Sequence, residues 1–259
     1  ISGNDADEGG GVWVTGGTTA IEPDGDTPTE IVDNEADDYG GGIAADGGGL
    51  RVQDADIGTN EAGRGGGGIA VLDKGECDGC TYDVLGASVH DNDADEGGGL
   101  WIGRDLYLAF GEVADNHADD LGGAVYVEDA ELLASDVQLR GNRAANGGAI
   151  AASGATVSAD GVVFDTNSAA EAGAAVYVES SSELTLTDSS LQHNRVDGSG
   201  AIAIVGTGAF TSTGTTSYVD NDAHDVDVNN FLCEVVDDPD PFTCTGGVGT
   251  PCSPADQCL

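Results

Sequence analysis

Nine asparagines recur in one local context, and that recurrence leaves few folds open to the chain: Asn4, Asn34, Asn60, Asn92, Asn116, Asn142, Asn167, Asn194 and Asn221. A large apolar residue stands three positions before each, as Ile1, Ile31, Ile57, Val89, Val113, Leu139, Phe164, Leu191 and Tyr218. Eight or nine positions after the first eight comes another, as in Ile43, Ile69, Leu100 and Val125, with a second apolar residue two positions further on. Small residues, mostly Gly, precede that pair, for example Gly97-Gly98-Gly99. Successive asparagines are 30, 26, 32, 24, 26, 25, 27 and 27 residues apart. A period of about 27 residues is the scale of a stacked solenoid.

A third alternating pair lies ten and eight residues before the Asn, as in Leu50/Val52, Leu106/Leu108 and Leu184/Leu186. Alternation at period two marks strands, and no segment shows a capped 3.6-residue period. The pattern therefore predicts an all-β chain: a single-stranded parallel β-helix of eight to nine coils with three strands per coil, spanning residues 1–228. Coils stacked at about 4.8 Å make a rod of roughly 38 Å. Equivalent residues then lie above one another, so the nine asparagines are expected to form a hydrogen-bonded amide ladder. The Gly run marks a bend where the backbone needs unusual dihedrals or close approach.

Gly122-Gly123-Ala124-Val125, Gly147-Gly148-Ala149-Ile150 and Phe164-Asp165-Thr166-Asn167 resemble the Gly-Gly-Ala-Ile and Phe-x-x-Asn motifs of polymorphic outer-membrane protein repeats. The resemblance covers residues 1–228. It implies a right-handed β-helical passenger region of a secreted or surface protein, of a kind often linked to adhesion.

The two long intervals carry insertions that must leave the stack as loops. One contains Glu22-Pro23-Asp24-Gly25-Asp26, a turn composition, and the other Cys77-Asp78-Gly79-Cys80. No second Cys-x-x-Cys exists to complete a zinc site, so a local Cys77–Cys80 disulfide is expected. From Asn229 the repeat stops, and Cys233, Cys244, Cys252 and Cys258 suggest a disulfide-held tail over residues 229–259 with three possible connectivities. An even Cys count fits an oxidising compartment, and the chain reads as exported, with its leader removed.

Charge narrows the partners. The formal net charge is −41, from 48 Asp+Glu against 7 Lys+Arg. Nucleic acid, anionic membrane surfaces and polyanionic substrates would be repelled. Acids cluster three and four residues after the Asn, as Asp7-Glu8, Asp37-Asp38, Asp95-Glu96 and Asp119-Asp120. Stacked, they would form columns of like charge, each close pair repelling by about 1 kcal/mol in water. The third repeat breaks the column with Arg64, placed to pair with Asp38 and Glu96. Elsewhere a hard divalent cation is the natural counter-charge, so Ca2+ is expected near Asp7, Glu8, Asp37 and Asp38, and again near Asp95, Glu96, Asp119 and Asp120. A solvated acidic face, as in salt-adapted proteins, fits the same residues.

No Gly-x-Ser-x-Gly elbow occurs, and the four histidines, His90, His117, His193 and His224, occupy different repeat offsets. No organic cofactor is expected, and no apolar run reaches the length of a membrane span. Ile1 already stands at the apolar position of a repeat, which suggests head-to-tail self-association through raw strand edges. The expected role is an extracellular structural solenoid, a filament or surface-layer component. The alternatives are an adhesin module with an exposed aromatic patch, or a carbohydrate-active enzyme with two converging carboxylates.

Overall fold

The computed structural model describes residues 1–221 apart from Glu76, Asp78, 198–199 and 206–207, together with the backbone of strands Val226–Val228, Phe231–Cys233 and Phe242–Thr245. Among these residues there is no helix, and the strands stack into a parallel β-solenoid of about eight turns. Each coil crosses four sheets, of eight, ten, nine and eight strands. The coil containing Asn34 illustrates the path. Glu30–Val32 lies in the sheet before the Asn, Glu35–Tyr39 in an acidic sheet after it, Ile43–Asp46 in a sheet led in by glycine, and Gly49–Gln53 in the last sheet.

The expected three strands per coil are thus four. The additional strand is the acidic one, repeated as Asp93–Glu96, His117–Leu121 and Ser168–Ala172. In six successive coils its buried position holds Ala (Ala36, Ala62, Ala94, Ala118, Ala144 and Ala169), flanked mostly by exposed polar residues. Such a segment lacks large alternating apolar residues and is rich in weak strand formers. It becomes a strand because parallel pairing with the coils above and below satisfies its backbone. Asp5 pairs with Glu35, Ala62 with Ala36 and Ala94 with Ala62 in this way.

The core fills the coil interior. Ile31, Ile57, Val89, Val113, Leu139, Phe164 and Leu191 are fully buried and stack in register, as Val89 on Val113, Val113 on Leu139 and Leu139 on Phe164. Each such side chain contributes about 1.5–3 kcal/mol of burial.

The asparagines close one corner. Asn34 Nδ2 donates to Asn60 Oδ1 at 3.0 Å, Asn92 Nδ2 to Asn116 Oδ1 at 2.9 Å and Asn116 Nδ2 to Asn142 Oδ1 at 3.0 Å. The ladder runs on through Asn167 and Asn194 to Asn221, and its first rung is Asn4 to Asn34 at 2.8 Å. Every interior amide uses both ends. Asn116 accepts from the Asn92 backbone N–H at 3.0 Å, while its Nδ2 also donates to the Val89 carbonyl at 3.0 Å. Asn34, Asn60, Asn92, Asn116, Asn142, Asn167 and Asn194 are all at most 1% exposed.

The residue before each Asn turns the corner with a left-handed backbone. Asp33, Thr59, Asp91, Asp115, Thr166, His193 and Asp220 all have φ between 49° and 56°. Asp is among the few non-glycine residues that tolerate this region. Asp54, Asp129, Asp136 and Asp188 do the same at other corners. Part of the chain's acidity is therefore corner chemistry.

Parallel stacking ends with Val226–Val228 on Ile202–Ile204. Phe231–Cys233 then pairs antiparallel with Val226–Val228, and Phe242–Thr245 antiparallel with Ala209–Thr213.

Candidate functional site

The acidic sheet carries all eight residues expected to hold Ca2+, but its register does not stack them as the sequence suggested. After Ala6 opposite Ala36, a bulge sets Glu8 against Tyr39, so that Asp7 alone faces the Asp37-Asp38 pair. After Ala94 opposite Ala118, Glu96 likewise meets Leu121, and Asp95 faces Asp119-Asp120. Asp7, Asp37, Asp95, Asp119 and Asp120 are exposed, whereas Asp38 is half-buried. Glu8 leaves the column to receive Lys74 Nζ at 2.5 Å. Arg64 reaches Asp38 at 3.8 Å and lies 5.8 Å from the Tyr39 ring centre. Among the described residues, no three His, Cys, Asp or Glu side chains converge as a group able to hold a metal ion.

The bulge has a second consequence. It turns the end of the acidic strand toward the outer face of the glycine-led sheet, and the two close over a small apolar seam. Trp101 stacks edge-on between Tyr39 and Tyr126, with ring centres 5.2 and 6.5 Å away. Ala44, Ala70 and Ala151 complete the seam. Large and small residues interlock: a Cβ on Gly65 would lie 2.6 Å from Trp101 Cδ1, and one on Gly103 2.7 Å from Trp101 Cζ3. Trp101 and Tyr126 are buried there rather than displayed. Aligning Ala44, Ala70, Trp101 and Tyr126 coil by coil would have exposed this column, since large residues occur where the facing strand offers Gly65 or a small neighbour.

Carboxylates border the seam. Glu96 is half-buried, and burial raises its pKa. Trp101 draws it partly down, while Glu128, Asp120 and Asp95 push it up. Burial, followed by the charge of Glu179 and a hydrogen bond to it, pushes the Tyr177 hydroxyl up to about 12. Burial and then Glu128 raise Tyr126 as well.

The described histidines each lean on an aspartate. His117 Nδ1 is 2.7 Å from Asp93 Oδ2, and His193 Nδ1 is 2.9 Å from Asp165 Oδ1. His90 bridges Asp56 at 2.7 Å and Asp91 at 2.9 Å. Burial pulls its pKa down, but hydrogen bonds to Asp91 and Asp56 outweigh it, so the net shift is upward. His224 lies outside the described residues. His117 also borders an open cleft of about 420 Å3 that Arg143, Ser168 and Arg195 line.

Cys77 and Cys80 are disulfide-bonded, with Cα atoms 5.6 Å apart. Arg104 anchors the loop that carries them, donating to the Gly75 carbonyl at 2.6 Å and pairing with Asp73 at 2.7 Å. The side chains of Cys233, Cys244, Cys252 and Cys258 lie outside the described residues. Among the described residues no helix is long and apolar enough to cross a membrane. Comparison with protein-family models, with curated proteins and with solved structures finds no match to this chain.

Proposed function

We propose that the chain is an extracellular structural β-solenoid, a stiff rod within a cell-surface or fibrous layer. The observation that supports this reading most is the unbroken ladder from Asn4 to Asn221 alongside a continuous apolar core. Each coil is bound to the next by parallel strands on four sides, so bending the rod means breaking many bonds at once. The Cys77–Cys80 disulfide suits an oxidising compartment. The likeness to polymorphic outer-membrane protein repeats points to the same exterior location.

Ca2+ is the proposed counter-ion of the acidic sheet, spread over Asp7, Asp37, Asp38, Asp95, Asp119 and Asp120. An ion that binds only the folded chain raises stability by about 2.7 kcal/mol at one hundred times its Kd. Immunogold labelling of the native source is expected to place the chain in the extracellular layer. Labelling confined to the cell interior would overturn the reading. Melting in millimolar Ca2+ is expected to exceed melting in EGTA at matched ionic strength, and equal midpoints would leave the acidic face merely solvated.

A further inference from the structure

Cations are scarce in this chain, with 7 Lys+Arg in all, and two of them, Arg143 and Arg195, fall in one column with His117. The first residue of each acidic-sheet strand forms one column running the length of the rod. In the first four coils it reads Asp5, Glu35, Glu61 and Asp93, every one exposed. In the next four it reads His117, Arg143, Ser168 and Arg195. The column passes from four carboxylates to a half that holds two arginines and no carboxylate.

Such a column is complementary to itself read backwards. Lay a second copy face to face, related by a two-fold axis along the strand direction. Strand direction is kept, the order of coils reverses, and the column meets its own reverse. Asp5 then faces Arg195, Glu35 faces Ser168, Glu61 faces Arg143 and Asp93 faces His117. Asp93 and His117, 2.7 Å apart within one chain, would straddle the axis. We propose that this face docks a second copy of the chain, side by side with reversed coil order, forming an isologous dimer.

The neighbouring exposed column limits the contact. Asp7 would face Asp197, and Asp95 would face Asp119, while the smaller Gly63 and Ala145 offer no charge. Seven steps of about 4.8 Å by a four-residue strand length near 13 Å give roughly 440 Å2 per partner. That is the low end for a specific interface, so a micromolar or weaker dimer is expected. Two chains of charge −41 also repel at long range. Salt screens that repulsion over a Debye length of about 8 Å at 0.15 M, whereas about 3 Å at 1 M weakens the contact pairs too. Dimerisation should therefore peak at intermediate salt.

The test is sedimentation velocity on the full chain from micromolar to millimolar concentration. Wild type is expected to dimerise reversibly near physiological salt. Glu61→Arg alone and Arg143→Glu alone should each weaken the dimer at least tenfold, while the double exchange restores it. Far-UV circular dichroism confirms that these exposed substitutions leave the fold intact. Should a single variant fail to fold, wild type at 1 M salt decides, and loss of the dimer there is expected. A wild-type chain monomeric at millimolar concentration, a dimer indifferent to 1 M salt, or a double exchange that restores nothing would overturn the proposal. So would a chain that stays monomeric but captures an oligogalacturonate in the His117–Arg195 cleft, which would assign the cations to an acidic glycan. The dimer rests on charge placement alone, so its failure leaves the structural role untouched.

Discussion

Replacing Asn116 by Ala tests the ladder at its middle. The native amide accepts from the Asn92 backbone N–H and from Asn92 Nδ2, and donates to the Val89 carbonyl and to Asn142 Oδ1. Alanine removes all four bonds. Asn142 Oδ1 keeps a donor in the Asn116 backbone N–H at 3.0 Å. The Asn92 N–H and one Asn92 amide hydrogen are left unpaired in a site 1% exposed, while the Val89 carbonyl keeps the ladder N–H of the next coil. At about 1–3 kcal/mol for each of the two orphaned buried groups, and with a water taking up part of the loss, the cost is about 2–5 kcal/mol. Asn4→Ala is the internal control. Asn4 is exposed and loses one amide bond to Asn34, worth about 0.5–1 kcal/mol. Urea denaturation followed by far-UV circular dichroism measures both, compared by midpoint at equal slope. If Asn116→Ala falls within 1 kcal/mol of Asn4→Ala, the ladder is not what holds the coils in register.

Three further outcomes follow from particular contacts. Gly98→Ala puts a Cβ 2.1 Å from the His117 carbonyl oxygen of the next coil, a backbone atom that cannot rotate away, and should destabilise by about 1–3 kcal/mol in the same urea assay. Phe110 sits at φ 59° with 65% of its surface exposed, so Phe110→Gly should raise the melting midpoint by relieving about 1 kcal/mol of left-handed strain. Glu96 titrates higher folded than unfolded, so its favourable contribution is complete below the unfolded carboxyl value and is lost as pH rises through the folded one. Glu96→Gln should therefore melt above wild type at pH 7, with the difference closing below about pH 4.

What could be read from the sequence is what stacking repeats. Val89, Val113, Leu139 and Phe164 occupy one position in successive coils because each packs on the one before. The asparagines recur because a ladder must satisfy every amide. The acidic strand was hidden because its buried position needs only Ala94 or Ala118, and aspartates around an alanine look like a loop. The seam was hidden for a different reason. Trp101 and Tyr126 occupy outward strand positions, and only the bulge that carries Tyr39 and Leu121 over them puts them inside. A trace of that bulge is present: Gly9 follows Asn4 by five residues, but Gly40 follows Asn34 by six, and both glycines are left-handed. One added residue is enough to move Glu8 away from Asp38. The aspartates also served two purposes that composition cannot separate. Asp33, Asp91 and Asp115 turn corners, while Asp7 and Asp95 only carry charge.

Exchange of the asparagine side-chain amide hydrogens, followed by nuclear magnetic resonance on the full chain in deuterated water, tests the stacked ladder most directly. The Nδ2 hydrogens of Asn34, Asn60, Asn92, Asn116, Asn142, Asn167 and Asn194 should exchange orders of magnitude more slowly than those of exposed Asn4, since releasing them requires the coils to part. Exchange of all these amides at the rate of a free peptide would contradict the stacked ladder.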